Sequence, residues 1–225
     1  MALLNKLGQV LTTDLSKDLR LNKKSIVVEK SFVERIKQCQ PIEQLGSKVH
    51  LSQNYLSALI IEAIKNAPLS NKISSLRFII VYHQAQQNFW QLVEDHQRQH
   101  IPSHIFAATQ QRVEACKTAF ASILFFEDQA VLSYLNKRMP LEAEQHPIWS
   151  AQHLGSATMA AWGALSDIGL GVNLLHYRDF DYAMQRHLNV ESSWQLKSQL
   201  VFGSIEQDPM HKPVSVLEQH YQVLT

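Results

Sequence analysis

Apolar residues along this chain follow two spacings, one helical and one strand-like. Phe32, Val33 and Ile36 share one face of a segment whose other face carries Glu34, Lys37 and Gln38, which predicts a helix over 31–40. Pro41 stops it, because the residue before a proline is pushed out of the α region. Ser52 is a good N-cap, with Leu51 and Leu56 at the two positions of a hydrophobic staple. Leu56, Leu59, Ile60, Ala63 and Ile64 then form the buried stripe of a second helix, which ends by Pro68. Phe89, Trp90, Leu92 and Val93 point one face of a helix inward from 89 to about 99. Pro102 breaks it, and another helix is predicted from about 103 to 119.

Four short runs are strand-like. Arg77–Tyr82 is apolar on both faces and is expected at the centre of a sheet covered on both sides. Ile123–Phe126 is a second buried strand with an acidic exit, Glu127 and Asp128. Val172–His176 and Leu196–Phe202 are the others, the last ended by Gly203. Between them, Ala157–Ile168 is apolar nearly all round, which predicts a fully buried helix, in the core or at a subunit interface. Gly155 and Gly163 fall on roughly one face of it and allow close helix approach. Gly169 and Gly171 are expected to supply left-handed backbone for the turn into the next strand. A short helix is expected at about 181–188. Residues 1–30, with Leu3, Leu4, Leu7, Val10 and Leu11 at helical spacing before Lys23-Lys24, are expected to form an N-terminal helical extension to a domain spanning 31–225.

Composition narrows the class. Its 225 residues suffice for one domain with a sizeable core. Lys and Arg total 21 against 20 Asp and Glu, so no strong field draws the chain to nucleic acid or to a membrane. No apolar run approaches the roughly 18 residues of a membrane span. Met1–Lys6 makes a poor signal peptide. Cys39 and Cys116 stand far apart with no CxxC, which suits a reducing cytoplasm.

Several segments carry a resemblance. Phe125-Phe126-Glu127-Asp128-Gln129, Pro147-Ile148-Trp149-Ser150 with Gln152, Leu170-Gly171, His176-Tyr177 and Phe202-Gly203-Ser204-Ile205 follow one another in the order and spacing of the FMN-dependent nitroreductases. The chain resembles most the fatty-acid-repression (FRM-type) subgroup. The resemblance covers roughly 32–223. It implies an α+β fold, a mixed sheet flanked by helices, in an intertwined homodimer with FMN at the interface. It also implies which residues face the cofactor. Leu175, His176 and Tyr177 match the strand that runs under the flavin, Trp149 the residue that covers it or packs the dimer core, and Ser70 a serine of the flavin loop. Lys212 matches the phosphate lysine beyond the last strand.

The departures fall at the phosphate. The family begins Phe-x-x-x-Ile-x-x-Arg-Arg-Ser/Thr, whose guanidinium forks suit a phosphate dianion. Here the frame Phe32, Ile36 and Ile42 is kept, but Cys39, Gln40 and Pro41 fill the last three places. The family's Pro-Ser-Ser-x-Asn-x-Gln loop is Pro68-Leu69-Ser70-Asn71-Lys72-Ile73-Ser74, with Lys72 at the asparagine and Ser74 at the glutamine. His220 stands where an arginine is frequent. Arg35 and Lys37 share a helix face with the lost arginines, so either could reach back to the phosphate or remain a solvated charge.

Two functions follow. One is an oxidoreductase in which NAD(P)H reduces bound FMN, and the flavin passes electrons to a nitroaromatic, quinone or similar small aromatic acceptor. This chemistry belongs to the cofactor, so no catalytic acid or base is demanded, and none is visible. The other is a degenerate dimer that has lost tight FMN binding and serves as a binding or structural protein. His96, His100 and His104 are spaced by four, but Pro102 interrupts the helix, so surface histidines are expected rather than a metal site. Cys39, close to Lys37, is either a reactive thiol or a half-buried packing residue.

Overall fold

The computed structural model describes residues 31–68, 73–178, 181–209, 222 and 224. Its elements run α1 (Phe32–Gln38), β1 (Leu45–Gly46), α2 (Gln53–Lys65), β2 (Leu76–Tyr82), α3 (His83–His100), α4 (Ser103–Thr118), β3 (Ala121–Asp128), α5 (Gln129–Arg138), α6 (His146–Asp167), β4 (Gly171–Leu175), α7 (Asp181–Leu188) and β5 (Trp194–Ile205). The expected extension over 1–30 lies outside the described residues.

The named strands pair antiparallel. β5 is the hub: it pairs with β3 along one edge and with β4 and β1 along the other, and β2 lies beyond β3. A parallel bridge between Pro41 and Val172 makes the sheet mixed. Helices cover both faces, so the fold is the expected α+β sandwich. On one face Phe89, Trp90 and Val93 of α3 pack with Val113 and Cys116 of α4. On the other, Leu56, Ile60 and Ile64 of α2 pack with Ala157, Ala161 and Leu165 of α6. Fully burying each large side chain contributes about 1.5–3 kcal/mol.

β2 corrects one expectation. It is an edge strand among the described residues, not a central one. Its continuous apolar run arises because both faces are covered: Ile79 and Val81 pack on one core, and Phe78, Ile80 and Tyr82 on the other. Coverage of the faces says nothing about sideways neighbours. α3 starts at His83, well before Phe89, because its first turns are mostly polar and hide their period. His83 takes a left-handed φ of 48° as the chain turns from strand to helix.

α6 is longer than expected and is not fully buried within one protomer. Ala157, Ala161 and Leu165 are buried, while Met159 is 38% exposed. A Cβ on Gly155 or Gly163 would meet nothing within 4 Å, so neither glycine marks a close approach inside the protomer. Gly169 does take the left-handed turn, with φ of 84°. Gly171 does not. It opens β4, where a side chain would press on Leu45 and Ile205. Gly203 does not end β5 either; it sits inside the strand because a Cβ there would run into the Gly46 carbonyl.

β5 carries a bulge. Phe125 faces Ser198 but Phe126 faces Leu196, so Lys197 is the extra residue. The bulge reverses the side-chain alternation. Leu196 and Val201 thereby reach the same core although they stand five positions apart, an offset that puts side chains on opposite faces of a regular strand.

Candidate functional site

The residues that the resemblance assigns to the cofactor divide into three places. The first is the exit of β4. The β4–β5 ladder runs in register from Gly171–Gly203 to Leu175–Gln199. The chain then continues through His176, which is exposed, to Tyr177, which is partly buried. The Tyr177 ring stands edge-on to Trp90, with centroids 5.7 Å apart. Trp90 in turn donates from Nε1 to Ser122 Oγ at 3.1 Å. Gln199, fully buried, accepts from the Tyr177 N–H (2.8 Å) and donates to the Tyr177 carbonyl (2.9 Å). Burial raises the Tyr177 phenol above its ordinary pKa.

The second place is a polar corner where three matched segments meet. Ser75 and Ser150 share a hydrogen bond of 2.7 Å, and Ser74 Oγ lies 3.0 Å from His153 Nδ1. Glu127, at the end of β3, accepts from the bulge residue Lys197 (2.9 Å) and from Gln129 (2.8 Å). Burial pushes the Glu127 carboxyl up, but Lys197, Ser150 and Gln129 together outweigh it and hold it below its ordinary value. Asp128 caps α5 through the Ala130 N–H, binds Ser193 and pairs with Arg77 at 2.9 Å. Burial lowers the His153 imidazole, which favours its neutral form. Trp149 sits in the first turn of α6, its ring edge-on to His146 at 5.6 Å.

The third place is the exit of α1. Ile42 donates to the Val172 carbonyl at 2.9 Å, so Cys39-Gln40-Pro41 lies against the start of β4. Cys39 Sγ is 3.5 Å from the Arg35 carbonyl. Burial raises the Cys39 thiol, with only a hydrogen bond to Ser166 opposing it, which disfavours the reactive thiolate. The Arg35 guanidinium is 2.7 Å from Asp167 at the end of α6. Lys37 is exposed and has no ion pair among the described residues.

A flavin mononucleotide needs a slot for its ring and cations for its phosphate. The β4 exit offers a braced edge of the kind the ring needs, and the separate hydroxyl-lined corner offers donors and acceptors for polar groups. At the phosphate end, Cys39 and Gln40 are neutral, and Arg35 and Arg77 are already paired with carboxylates. Among the described residues of α1, exposed Lys37 is the cation without an ion pair. Lys212 and Ser70 lie outside the described residues. One protomer does not gather the assigned residues: Leu175 and Tyr177 pack on the core under α3, whereas the body of the helix bearing Trp149 packs on the opposite core. Sequence reading missed Gln199, Lys197 and the Ser75–Ser150 link. The signal available was polar residues, Lys197-Ser198-Gln199, inside an otherwise apolar strand.

His96 and His100 stack on α3 with centroids 4.1 Å apart, and His104 lies beyond Pro102 on α4. Cys116 is buried, which pushes its thiol up to about 12. No described helix is long and apolar enough to cross a membrane.

Comparison with known proteins agrees with this geometry. The nitroreductase family profile matches residues 56–204. Nitroreductase FRM2 of Saccharomyces cerevisiae is 30% identical over 141 residues, 62% of this chain and 69% of that protein. The structure of nitroreductase CinD from Lactococcus lactis in complex with chloramphenicol is 32% identical, with a TM-score of 0.78, covering 87% of this chain and 100% of that one. A nitroreductase structure from Saccharomyces cerevisiae, at 24% identity and a TM-score of 0.68, covers 81% and 98% and shares the fold. With more than half its length inside the family profile and its matched motifs gathered around one sheet, the chain belongs to the nitroreductase family.

Proposed function

We propose that this protein is an FMN-dependent oxidoreductase that takes electrons from NAD(P)H and delivers them to a nitroaromatic, quinone or similar small acceptor in the cytoplasm. The observation that carries the reading is the β4 exit: a segment matching the family's flavin strand is held by buried hydrogen bonds and a ring contact rather than left loose. The relatives point the same way. CinD is known in complex with chloramphenicol, 4-nitrophenol and nicotinic acid. Another structural neighbour, at 16% identity, is described in complex with FMN.

Leu175, His176 and Tyr177 would line the ring, Trp149 would cover it, and Ser70, Lys37 and Lys212 would serve its polar edge and phosphate. The bound flavin supplies the hydride and electron transfer. The chain's own work is to hold the ring flat, exclude water from one face and leave the other open to donor and acceptor in turn. The neutral Cys39 and Gln40 imply weak binding. We expect purified protein to turn yellow and quench FMN fluorescence when the cofactor is added, and to lose it on dialysis. Consumption of NADH or NADPH should then depend on added FMN and on 4-nitrophenol or a quinone. Protein that takes up no FMN at millimolar concentration supports the second reading, a degenerate dimer, which the neutral phosphate end and the committed Arg35 favour.

The active form is proposed to be a homodimer through α6, with residues 1–30 as a helical extension. Ile148 and Met159 are 50% and 38% exposed on this helix, and its two glycines open onto empty space. Such a face favours a second helix at close range. Sedimentation is expected to show a dimer at micromolar concentration, and Gly163→Glu is expected to shift it towards monomer. A wild-type protein that sediments as a monomer overturns the interface.

A further inference from the structure

We infer that Gln199 is a positioning residue: its buried carboxamide fixes the backbone of His176 and Tyr177, and through it the flavin proposed to lie against that segment. The inference rests on the flavin reading above.

The β4–β5 register explains why a side chain is needed. Leu175 pairs with Gln199, so Tyr177 would pair with Lys197 if the ladder continued. Lys197 is the bulge residue, and its side chain is drawn to Glu127 on the other neighbour of β5. The regular ladder therefore stops at Leu175. Gln199 replaces the missing pair. Its Oε1 accepts from the Tyr177 N–H and its Nε2 donates to the Tyr177 carbonyl, as the backbone of a paired residue would. Gln199 is 0% exposed, so water does not compete for either bond. A glutamine places both groups on one planar amide with the reach required. The ring side is closed by Trp90, which is itself tied to Ser122. The result is a strand end held two residues beyond its last backbone pair, at the place where the family's flavin strand runs.

The arrangement predicts an unusual pattern of amide exchange. The Tyr177 N–H, outside β4, should exchange at least about tenfold more slowly than the neighbouring Arg178 N–H in the wild-type protein. Gln199→Met keeps the volume but neither hydrogen bond. It should speed exchange at Tyr177 by about tenfold or more. It should also weaken FMN binding by about tenfold and shift the visible spectrum of the bound flavin. Gln199→Glu, once ionised, can accept but cannot donate, and should disturb both readouts at pH values above its own pKa. A merely structural role would lower the melting temperature and leave the affinity and spectrum of the folded protein unchanged. Fast exchange of Tyr177 in wild type overturns the inference without any variant. Equal FMN affinity and spectrum in wild type and Gln199→Met overturn it while leaving the flavin reading intact. Wild type that binds no FMN overturns the flavin reading and the inference's cofactor half, and slow Tyr177 exchange then upholds only the backbone brace.

Discussion

Replacing Cys39 and Gln40 together by arginine is expected to tighten FMN binding by about a hundredfold or more. Each charge-assisted hydrogen bond to a phosphate contributes roughly 1.5–3 kcal/mol, and every 1.4 kcal/mol is a factor of ten. The frame for those arginines is present. The α1 exit is docked on β4 by the Ile42–Val172 hydrogen bond and the Pro41 bridge, so new side chains at 39 and 40 start from a fixed backbone. Existing arginines do not fill the gap, because Arg35 is tied to Asp167 and Arg77 to Asp128. With the pair absent, Lys212 on the proposed reading carries much of the neutralisation. Lys212→Ala is expected to cost roughly ten- to a hundred-and-fifty-fold in affinity, and exposed Lys37→Ala less. Flavin titration of the three variants and wild type decides it. No gain in the double arginine variant, together with no loss in Lys212→Ala, would mean that no phosphate site exists here and would favour the degenerate reading.

Lys117→Met is expected to destabilise the fold by about 1.5–3 kcal/mol, the usual contribution of a charge-assisted hydrogen bond to a nearly buried carboxylate. Glu94 on α3 is only 5% exposed. Its carboxylate pairs directly with Lys117 on α4 and accepts from Arg98 at 2.7 Å and Gln110 at 3.1 Å. Lys117, 14% exposed at its side chain, is also bound to Gln91 at 2.9 Å. Removing it leaves Glu94 with Arg98, which is mostly in solvent, and Gln110. In a domain of this size the melting temperature should fall by roughly 3–12 °C. Glu94→Gln should cost less, since Lys117 keeps Glu114 at 3.4 Å and Gln91 at 2.9 Å.

The same pair sets an acid limb of stability. The Lys117 hydrogen bond, with Arg98 assisting, holds the Glu94 carboxyl below its ordinary value against the effect of burial. A depressed carboxyl contributes stability that is complete above the ordinary carboxylate range and is lost as pH falls through the lower folded value. Wild type should therefore lose stability towards acid more steeply than Glu94→Gln. Parallel acid limbs in the two proteins would rule out Glu94 as the group responsible.

Much of the architecture was legible in the residues. The positions of α1, α2 and α4, the buried strand at 123–126, the helix at 181–188 and the order of the family motifs all depend on local spacing or on near-neighbour turn chemistry, although Phe32, Val33 and Ile36 of α1 are exposed. The left-handed turn at Gly169 is of the same kind. So is the loss of the phosphate arginines, since Cys39 and Gln40 carry no charge in any fold.

Lateral position and partnership were not legible. β2 reads as a central strand because helices cover both its faces, yet among the described residues it lies at the sheet edge. α6 reads as buried because it is apolar, yet part of it faces outward in one protomer. Gly171 and Gly203 read as turn residues, but close contacts with Leu45, Ile205 and Gly46 are what require them. Arg35 reads as a spare cation until Asp167, far away in sequence, is found beside it. Gln199 is one polar letter in an apolar strand until the Lys197 bulge leaves Tyr177 without a backbone partner. Helix period, charge and backbone freedom belong to a residue and its near neighbours, so the sequence alone determined them. Strand order, ion-pair partners and the brace at the β4 exit depend on which distant segments pack together, and only the tertiary structure decided those.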